Sequence, residues 1–151
     1  ETEVIHTPGH ASNHLCFLIK DTKCLLTGDH IMDGSTVVIG PPDGNMKSYI
    51  NSLEKLLDFD IDCFAPGHGN YIHEPEKTIQ SIIRHRLTRE GKALRKLGEA
   101  GISSLDELTK LVYDDVSELL HPIAKYSLEA HLLKLIDEKK VKLDKDLFEI
   151  V

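Results

Sequence analysis

Short apolar runs in the first part of the chain predict β-strands that end in turns containing glycine or proline. We place these strands at residues 2–6, 15–19, 23–27 and 60–65. Apolar positions at helical spacing predict one helix over residues 46–57. Residues 36–39 fit either a short strand or an extended loop that leads into the rigid turn P-P-D-G. Strands alternating with a helix predict a layered α/β arrangement.

A long helical periodicity replaces the short apolar runs in the second part of the chain. One helix is expected over residues 76–97, with Gly98 and Gly101 ending it. The change of pattern begins at Pro75, and we place a domain boundary inside this helix, near residue 84. The predicted domains are residues 1–83 and residues 84–151.

The remaining tail has the element order of a winged helix. Ser104 with Glu107 three residues later is a capping-box pattern, which predicts a helix over residues 105–113. A further helix begins at residues 121–122, where the proline suits a first helical turn. Two short strands then predict a terminal hairpin, at residues 140–143 and 147–151. Helices followed by a two-stranded wing predict a small α+β domain.

Composition narrows the class of protein. A chain of 151 residues with 40% hydrophobic and 28% charged residues is typical of one soluble globular domain or two small ones. No apolar run approaches the ~18 residues of a membrane span. The three cysteines have no C-x-x-C spacing, which predicts buried free thiols and a cytoplasmic location. The chain begins with Glu1 rather than Met, so we expect a piece of a longer protein.

The negative charge is confined to the first part of the chain. Residues 1–83 carry five Lys/Arg against twelve Asp/Glu, whereas residues 84–151 carry thirteen of each. Neither part has the positive balance of a duplex-binding module, so nucleic acid is a disfavoured partner. The last predicted helix would present a mixed surface of Lys125, Glu129, Lys134, Asp137 and Glu138. Single-stranded RNA stays an alternative if one helix side is lined by Arg84, Arg86, Arg89, Arg95 and Lys96.

Three strand-end turns carry the candidate chemistry. They read I-H-T-P-G-H, T-G-D-H and A-P-G-H-G, and they deliver His10, Asp29 and His68. Imidazole and carboxylate ligands suit zinc, and also iron or manganese. The structural alternative is that the histidines only form hydrogen bonds and that the aspartate caps a turn. No G-x-x-x-x-G-K-[ST] or G-x-S-x-G pattern occurs, which excludes a P-loop and disfavours a serine hydrolase.

In this order, with Asp29 19 positions after His10 and His68 39 positions after Asp29, these motifs resemble the later metal motifs of metallo-β-lactamase-fold hydrolases. The resemblance implies the C-terminal half of an αββα sandwich, followed by a winged-helix-like domain. It also implies that His10 ligates one metal, that Asp29 bridges two, and that His68 ligates the second. The family's first motif, H-x-H-x-D-H, is absent upstream of His10.

The tail resembles the C-terminal domain of the lactamase-like endoribonuclease and its bacterial relatives, where this module closes over the catalytic mouth. The two resemblances imply a hydrolase with two divalent metal ions, zinc being favoured over iron or manganese. A metal-bound hydroxide would attack an ester, thioester or related bond of a small-molecule substrate. The alternatives are phosphodiester hydrolysis by an endoribonuclease, or a non-catalytic winged-helix interaction module. Residues 1–151 alone should bind metal weakly, and an exposed apolar sheet face should make them associate, as a homo-oligomer or aggregate.

Other polar residues near the motifs are candidates for substrate contact or for support of the ligands. His14 either contacts substrate or only forms structural hydrogen bonds, and His30 either faces the mouth of the site or packs beneath it. His6 is expected to orient a ligand. Tyr71 follows the last motif and is a candidate for the pocket lining. The other histidines are expected at the surface or in helix packing, namely His73, His85, His121 and His131.

Overall fold

A computed structural model describes residues 1–151. By their internal contacts, the residues divide into two compact units, Glu1–Arg84 and His85–Val151. None of the helices combines the length and the apolar character needed to cross a membrane.

A four-stranded sheet forms the framework of the first unit. Its strands lie side by side in chain order, and they are β1 (Thr2–His6), β2 (Leu15–Ile19), β3 (Cys24–Gly28) and β4 (Cys63–Pro66). The first three are antiparallel neighbours, whereas β4 runs parallel to β3. The predicted strands and the hairpin are confirmed, although β4 begins three residues later than expected. Residues 36–39 form a loop, the second of the two predicted alternatives.

The connection between β3 and β4 contains the helix α1 (Met46–Leu56), as the helical spacing predicted. Asn45 caps it, because its side-chain oxygen accepts a hydrogen bond from the Ser48 amide at 2.8 Å. The buried face of α1 is tied to the segment after β1, where the Ser52 hydroxyl donates to the Pro8 carbonyl at 2.6 Å. The helix therefore braces the loop that leads to His10.

The two faces of the sheet differ in their burial. One face is closed, with side chains buried at Ile5, Cys16, Leu18, Leu25 and Phe64. On the other face, strand pairing places Val4, Phe17 and Leu26 in one row across three strands. These three side chains are 56%, 38% and 40% exposed. The exposed apolar row is the feature expected of one half of a sandwich.

We expect the 151-residue chain to self-associate through this row, and Phe17→Lys to reduce the association because it places a charge at the centre of the row. Light scattering after size-exclusion chromatography measures the effect. The matched control is Leu57→Lys, since Leu57 is 42% exposed but lies outside the sheet. Equal association of the two variants would contradict the prediction.

The second unit is a three-stranded sheet packed with helices. The long helix α2 (Pro75–Ala100) enters it from the first unit. It is followed by β5 (Ile102–Ser104), α3 (Leu105–Val112), a 3-10 turn (Glu118–Leu120), α4 (His121–Asp137), β6 (Val141–Asp144) and β7 (Leu147–Ile150). The strand order is β5-β7-β6, all antiparallel. Sequence reasoning did not predict β5 or the 3-10 turn.

The end of α2 corrects one sequence prediction. Gly98 lies inside the helix, and Gly101 alone ends it, with a left-handed φ of +79° and its amide bonded to the Leu97 carbonyl at 2.9 Å. The core of the second unit then packs α2, α3 and α4 around the sheet, with fully buried side chains that include Leu97, Leu108, Leu128 and Leu132.

Candidate metal centre

The turn after β1 fixes the position of His10. Gly9 adopts a φ of +147°, and a Cβ at this position would overlap the Tyr49 backbone. Only glycine therefore fits between the turn and α1. The close approach of the backbone to the helix fixes the turn in which the next residue, His10, lies, four residues after the end of β1.

Asp29 lies between the two histidines that the sequence singled out. Its Oδ2 is 4.0 Å from His10 Nε2, and its Oδ1 is 3.2 Å from His68 Nε2. Each carboxylate oxygen thus faces a different imidazole. The structure brings together all three predicted ligands, although His10 and Asp29 come from an antiparallel part of the sheet and His68 follows the parallel strand.

The ring of His10 is oriented by a backbone group. Its Nδ1 donates a hydrogen bond to the Val38 carbonyl at 2.8 Å. Because a carbonyl can only accept, this bond assigns the proton to Nδ1 and leaves the Nε2 lone pair facing Asp29. An imidazole held in this way is prepared to ligate a metal through Nε2. The loop at residues 36–39 therefore supports the site instead of adding a strand.

The turns that carry Asp29 and His68 are joined directly. The Gly67 amide donates to the Gly28 carbonyl at 2.9 Å, which continues the pairing of β3 with β4. A Cβ at Gly67 would lie 3.1 Å from that carbonyl oxygen and 3.4 Å from Asp29 Oδ1. The absence of a side chain at Gly67 therefore permits the close approach of Asp29 and His68.

His14 and His30 form a histidine layer beside this centre, with ring centroids 5.6 Å apart. His14 Nδ1 is hydrogen-bonded to the Thr7 hydroxyl at 2.9 Å, and its Nε2 faces the backbone of Gly28. Desolvation by burial, together with nearby His10, lowers the pKa of His14. A neutral imidazole next to Gly28 and Asp29 can donate or accept a hydrogen bond to a bound molecule.

His30 lies beneath the site and not at its mouth. Its side chain is buried, and its ring meets the Tyr49 ring edge-on at a centroid distance of 5.0 Å. Burial, with a smaller effect of His14, lowers the pKa of His30 to about 3, so the ring is neutral. Neither ring nitrogen has a hydrogen-bond partner. Of the two predicted alternatives for His30, the structure has the packed one.

The remaining candidates are His6 and Tyr71. His6 Nε2 donates to the Ser12 carbonyl at 2.8 Å, so it fastens the loop between His10 and His14 but contacts no predicted ligand. Tyr71 is 64% exposed. It lines an open groove of about 520 Å³ with neighbours that include Gly69, Asn70 and His73.

The donor set fits divalent metals, but it does not complete a coordination shell. Two imidazole Nε2 atoms and one carboxylate are ligand types of zinc, iron and manganese sites. His10 faces one oxygen of Asp29 and His68 faces the other. Within the chain, no three or more His, Cys, Asp or Glu side chains lie close enough together to hold a metal ion by themselves. Further ligands have to come from outside these three residues.

In the second unit, sequence reasoning missed a buried ionic cluster. Glu90 is 6% exposed and accepts hydrogen bonds from His131 Nδ1 at 3.0 Å and from Lys134 Nζ at 2.6 Å. Lys134 also pairs with Glu138 at 2.8 Å. Lys134 was expected on the outer surface of α4, and that prediction is wrong because its ammonium neutralises a buried carboxylate.

This cluster makes the second unit sensitive to acid. Desolvation lowers the pKa of His131 from 6.5, and Glu90 only partly offsets this effect. Because the unfolded chain binds the proton more readily, stability should fall as pH drops below 6.5, by up to about 1.4 kcal/mol per pH unit. His131→Gln keeps a donor for Glu90 and should flatten this dependence, measured by hydrogen exchange of the α4 amides. Exposed His73→Gln is the control, and an unchanged pH profile in His131→Gln would count against the explanation.

The predicted basic side of α2 is largely neutralised. Arg86 is 4% exposed and so does not belong to a surface stripe, which corrects the prediction. Arg89 forms two hydrogen bonds with Asp115, at 2.7 and 3.1 Å. Lys92 pairs with Asp114, and Lys96 pairs with Glu99 at 3.2 Å. These paired cations offer few free charges to a phosphate backbone.

Comparisons with known proteins agree with this architecture. Residues 1–68 match the family model described as the metallo-beta-lactamase superfamily, and residues 104–149 match that of the beta-lactamase associated winged helix domain. The resemblance and the fold class predicted from the sequence are thereby confirmed. A metallo-beta-lactamase family protein of known structure from Thermus thermophilus is similar in fold. It has a TM-score of 0.87 and 22% identity, over 99% of this chain and 49% of that one.

Two curated relatives are similar in sequence over most of this chain. A beta-lactamase-like protein 2 homolog from Drosophila melanogaster is 35% identical, over 94% of this chain and 48% of its own length. An atrochrysone carboxyl ACP thioesterase from Aspergillus chevalieri is 30% identical, over 93% of this chain and 47% of its own length. The chain spans about half the length of these relatives.

Proposed function

The chain belongs to the metallo-β-lactamase superfamily and carries the winged helix domain associated with it, and from this premise we propose that the whole protein is a metal-dependent hydrolase of esters or thioesters. The observation that carries the proposal is the placement of Asp29, whose two oxygens face His10 Nε2 at 4.0 Å and His68 Nε2 at 3.2 Å. A carboxylate with each oxygen directed to a different ligand suits a bridge between two cations.

In this proposal, His10 and His68 each hold one divalent metal and Asp29 holds both, with further ligands supplied from outside these three residues. Zinc is favoured, and iron and manganese are the alternatives. Two metals bound there would supply Lewis-acid activation of water and of the scissile group. Val38 keeps the proton of His10 on Nδ1, which preserves the lone pair of Nε2 for the metal. We assign to His14, whose pKa is lowered by burial and which lies next to Gly28, a hydrogen bond to the bound substrate.

A small thioester or ester is the substrate class that we favour. The relative from Aspergillus chevalieri is named an atrochrysone carboxyl ACP thioesterase, and this name supports thioester chemistry. Residues 1–83 carry a strong excess of negative charge, which disfavours a bulky polyanion as the substrate. In the second unit, Arg89 and Lys92 are paired with aspartates, which also disfavours a polyanionic substrate. Phosphodiester cleavage and a non-catalytic winged-helix module therefore rank below it.

The proposal also includes a cytoplasmic location, supported by three free cysteines. For residues 1–151 on their own, we propose weak metal binding and weak activity, because three residues do not complete two coordination shells.

The deciding experiment uses the full-length protein. Metal content by atomic emission spectroscopy and turnover of thioester, ester and single-stranded RNA substrates are measured on the same preparation. We expect about two divalent ions per chain and hydrolysis of a thioester or ester that chelation abolishes. RNA cleavage without thioester turnover would favour the endoribonuclease. A protein that contains no metal after supplementation would overturn the proposal.

A further inference from the structure

His68 has little side-chain support of its own. Its side chain is 73% exposed, and the structure gives its ring one polar contact, the Asp29 carboxylate at 3.2 Å. In contrast, the ring of His10 is fixed by the Val38 carbonyl. The direction of the His68 ring therefore depends on how firmly the backbone of its loop is held.

The loop that carries His68 is clamped by Asp33, which lies four residues beyond Asp29. The Asp33 amide donates to the His68 carbonyl at 3.3 Å. The Asp33 carboxylate then accepts two hydrogen bonds at Oδ2, from the Asn70 amide at 3.1 Å and from its Nδ2 at 3.2 Å. One aspartate thus binds the backbone on both sides of Gly69.

The backbone of Gly69 lies in close contact with the side chain of Asp33. Gly69 adopts a left-handed φ of +95°, and a Cβ there would overlap Asp33 Cβ and lie 3.1 Å from Asp33 Oδ2. On the other side of His68, the Gly67 amide is bonded to the Gly28 carbonyl at 2.9 Å. His68 is therefore held from both sides by the segment that carries Asp29, through Gly28 before it and Asp33 after it.

We propose that Asp33 is a positioning residue for His68, which holds this histidine at the distance from Asp29 that shared metal binding requires. The inference rests on the proposed function, because it assigns Asp33 a role at the metal site. Asp33 is not itself a ligand in this assignment: its Oδ2 is committed to Asn70, and it acts through the backbone of the loop.

The test uses the full-length protein with the variants Asp33→Ala and Asp33→Asn. Zn²⁺ affinity is measured by competition with a chelator, and the absorption spectrum of the Co²⁺-substituted protein reports the ligand geometry. We expect Asp33→Ala to weaken one of the two metal sites by at least about tenfold and to alter its Co²⁺ spectrum, as loss of outer support does in other metal sites. Asp33→Asn keeps an acceptor oxygen for the Asn70 amide and should restore most of the affinity.

Two further variants separate this role from a general loss of folding. Asn70→Ala removes only one of the two hydrogen bonds to Asp33 Oδ2, so it should weaken the same site by a smaller factor. Asp58→Ala, an exposed aspartate of the same unit outside the clamp, should leave affinity and spectrum unchanged. If Asp33→Ala and Asn70→Ala bind both ions with wild-type affinity and spectrum, the clamp has no such role although the proposed function stands. A wild-type protein that binds no metal would overturn both.

Discussion

Replacing Asp29 with asparagine should remove metal from both sites and lower hydrolysis by at least about three orders of magnitude. The reason is that, in the proposed centre, one group would serve both metal positions, since Oδ2 faces His10 and Oδ1 faces His68. An amide has one oxygen acceptor and no negative charge, so it cannot hold two cations together. Loss of several kcal/mol of charge stabilisation in the transition state corresponds to a rate loss of this size.

The measurement is metal content and turnover of the full-length variant, after dialysis against a defined Zn²⁺ buffer. Asp58→Asn makes the same chemical change at an exposed position of the same unit, and it should behave as wild type. Thermal unfolding without metal should differ little between the two variants, since Asp29 forms only polar contacts with the two histidines. An Asp29→Asn protein with two bound ions and normal turnover would refute the bridging role.

Substitutions of Asp29 and of Asp33 should therefore have different effects on metal binding. Loss of the proposed bridging carboxylate should affect both metal positions at once, whereas loss of the clamp should affect only the position that depends on His68. The stoichiometry of bound metal separates these outcomes, because Asp33→Ala should retain one tight site. This contrast follows from the asymmetry of the two histidines: His10 has a backbone acceptor for its ring, and His68 has none.

Features that depend on residues close in the chain could be predicted from the sequence. The capping box at Ser104 is one, since its hydroxyl accepts from the Glu107 amide at 3.3 Å and the Glu107 carboxylate accepts from the Ser104 amide at 3.1 Å. The choice between Gly98 and Gly101 as the end of α2 could not be made in the same way. Both are glycines after an apolar face, and only the folded chain shows that Gly101 adopts the left-handed conformation.

Contacts between distant residues left no local pattern to interpret. Asp33 meets Asn70 across 37 positions, and Glu90 meets His131 across 41. The convergence of His10, Asp29 and His68 also depends on the parallel pairing of β3 with β4, which periodicity does not encode. That convergence was predictable only through the resemblance of the ordered motifs to a known family. The position of Lys134 could not be predicted from the net charge either. A count of charged residues does not distinguish a lysine on the surface from one that pairs with a buried carboxylate.

In the second unit, Glu90→Ala should destabilise the fold by about 3–5 kcal/mol, the usual cost of breaking a buried ion pair on one side. The substitution leaves the Nδ1 proton of buried His131 without an acceptor and removes one of the two carboxylates that neutralise Lys134. Burial opposes the ionisation of Glu90, but the hydrogen bonds from His131 and Lys134 outweigh it and lower the pKa of this carboxyl. The two hydrogen bonds therefore favour the charged form of Glu90.

Urea unfolding of the full-length protein, followed by hydrogen exchange of α4 amides, measures this effect in the second unit. Glu90→Gln keeps the size and one acceptor oxygen, so its cost should lie well below that of Glu90→Ala. Glu99→Ala is the matched control on the same helix, because Glu99 forms only exposed pairs with Lys96 and Arg95, and its cost should stay within about 1 kcal/mol. If Glu90→Ala and Glu99→Ala lose the same stability, the buried cluster contributes no more than a surface ion pair, and the unit is held together by its apolar core alone.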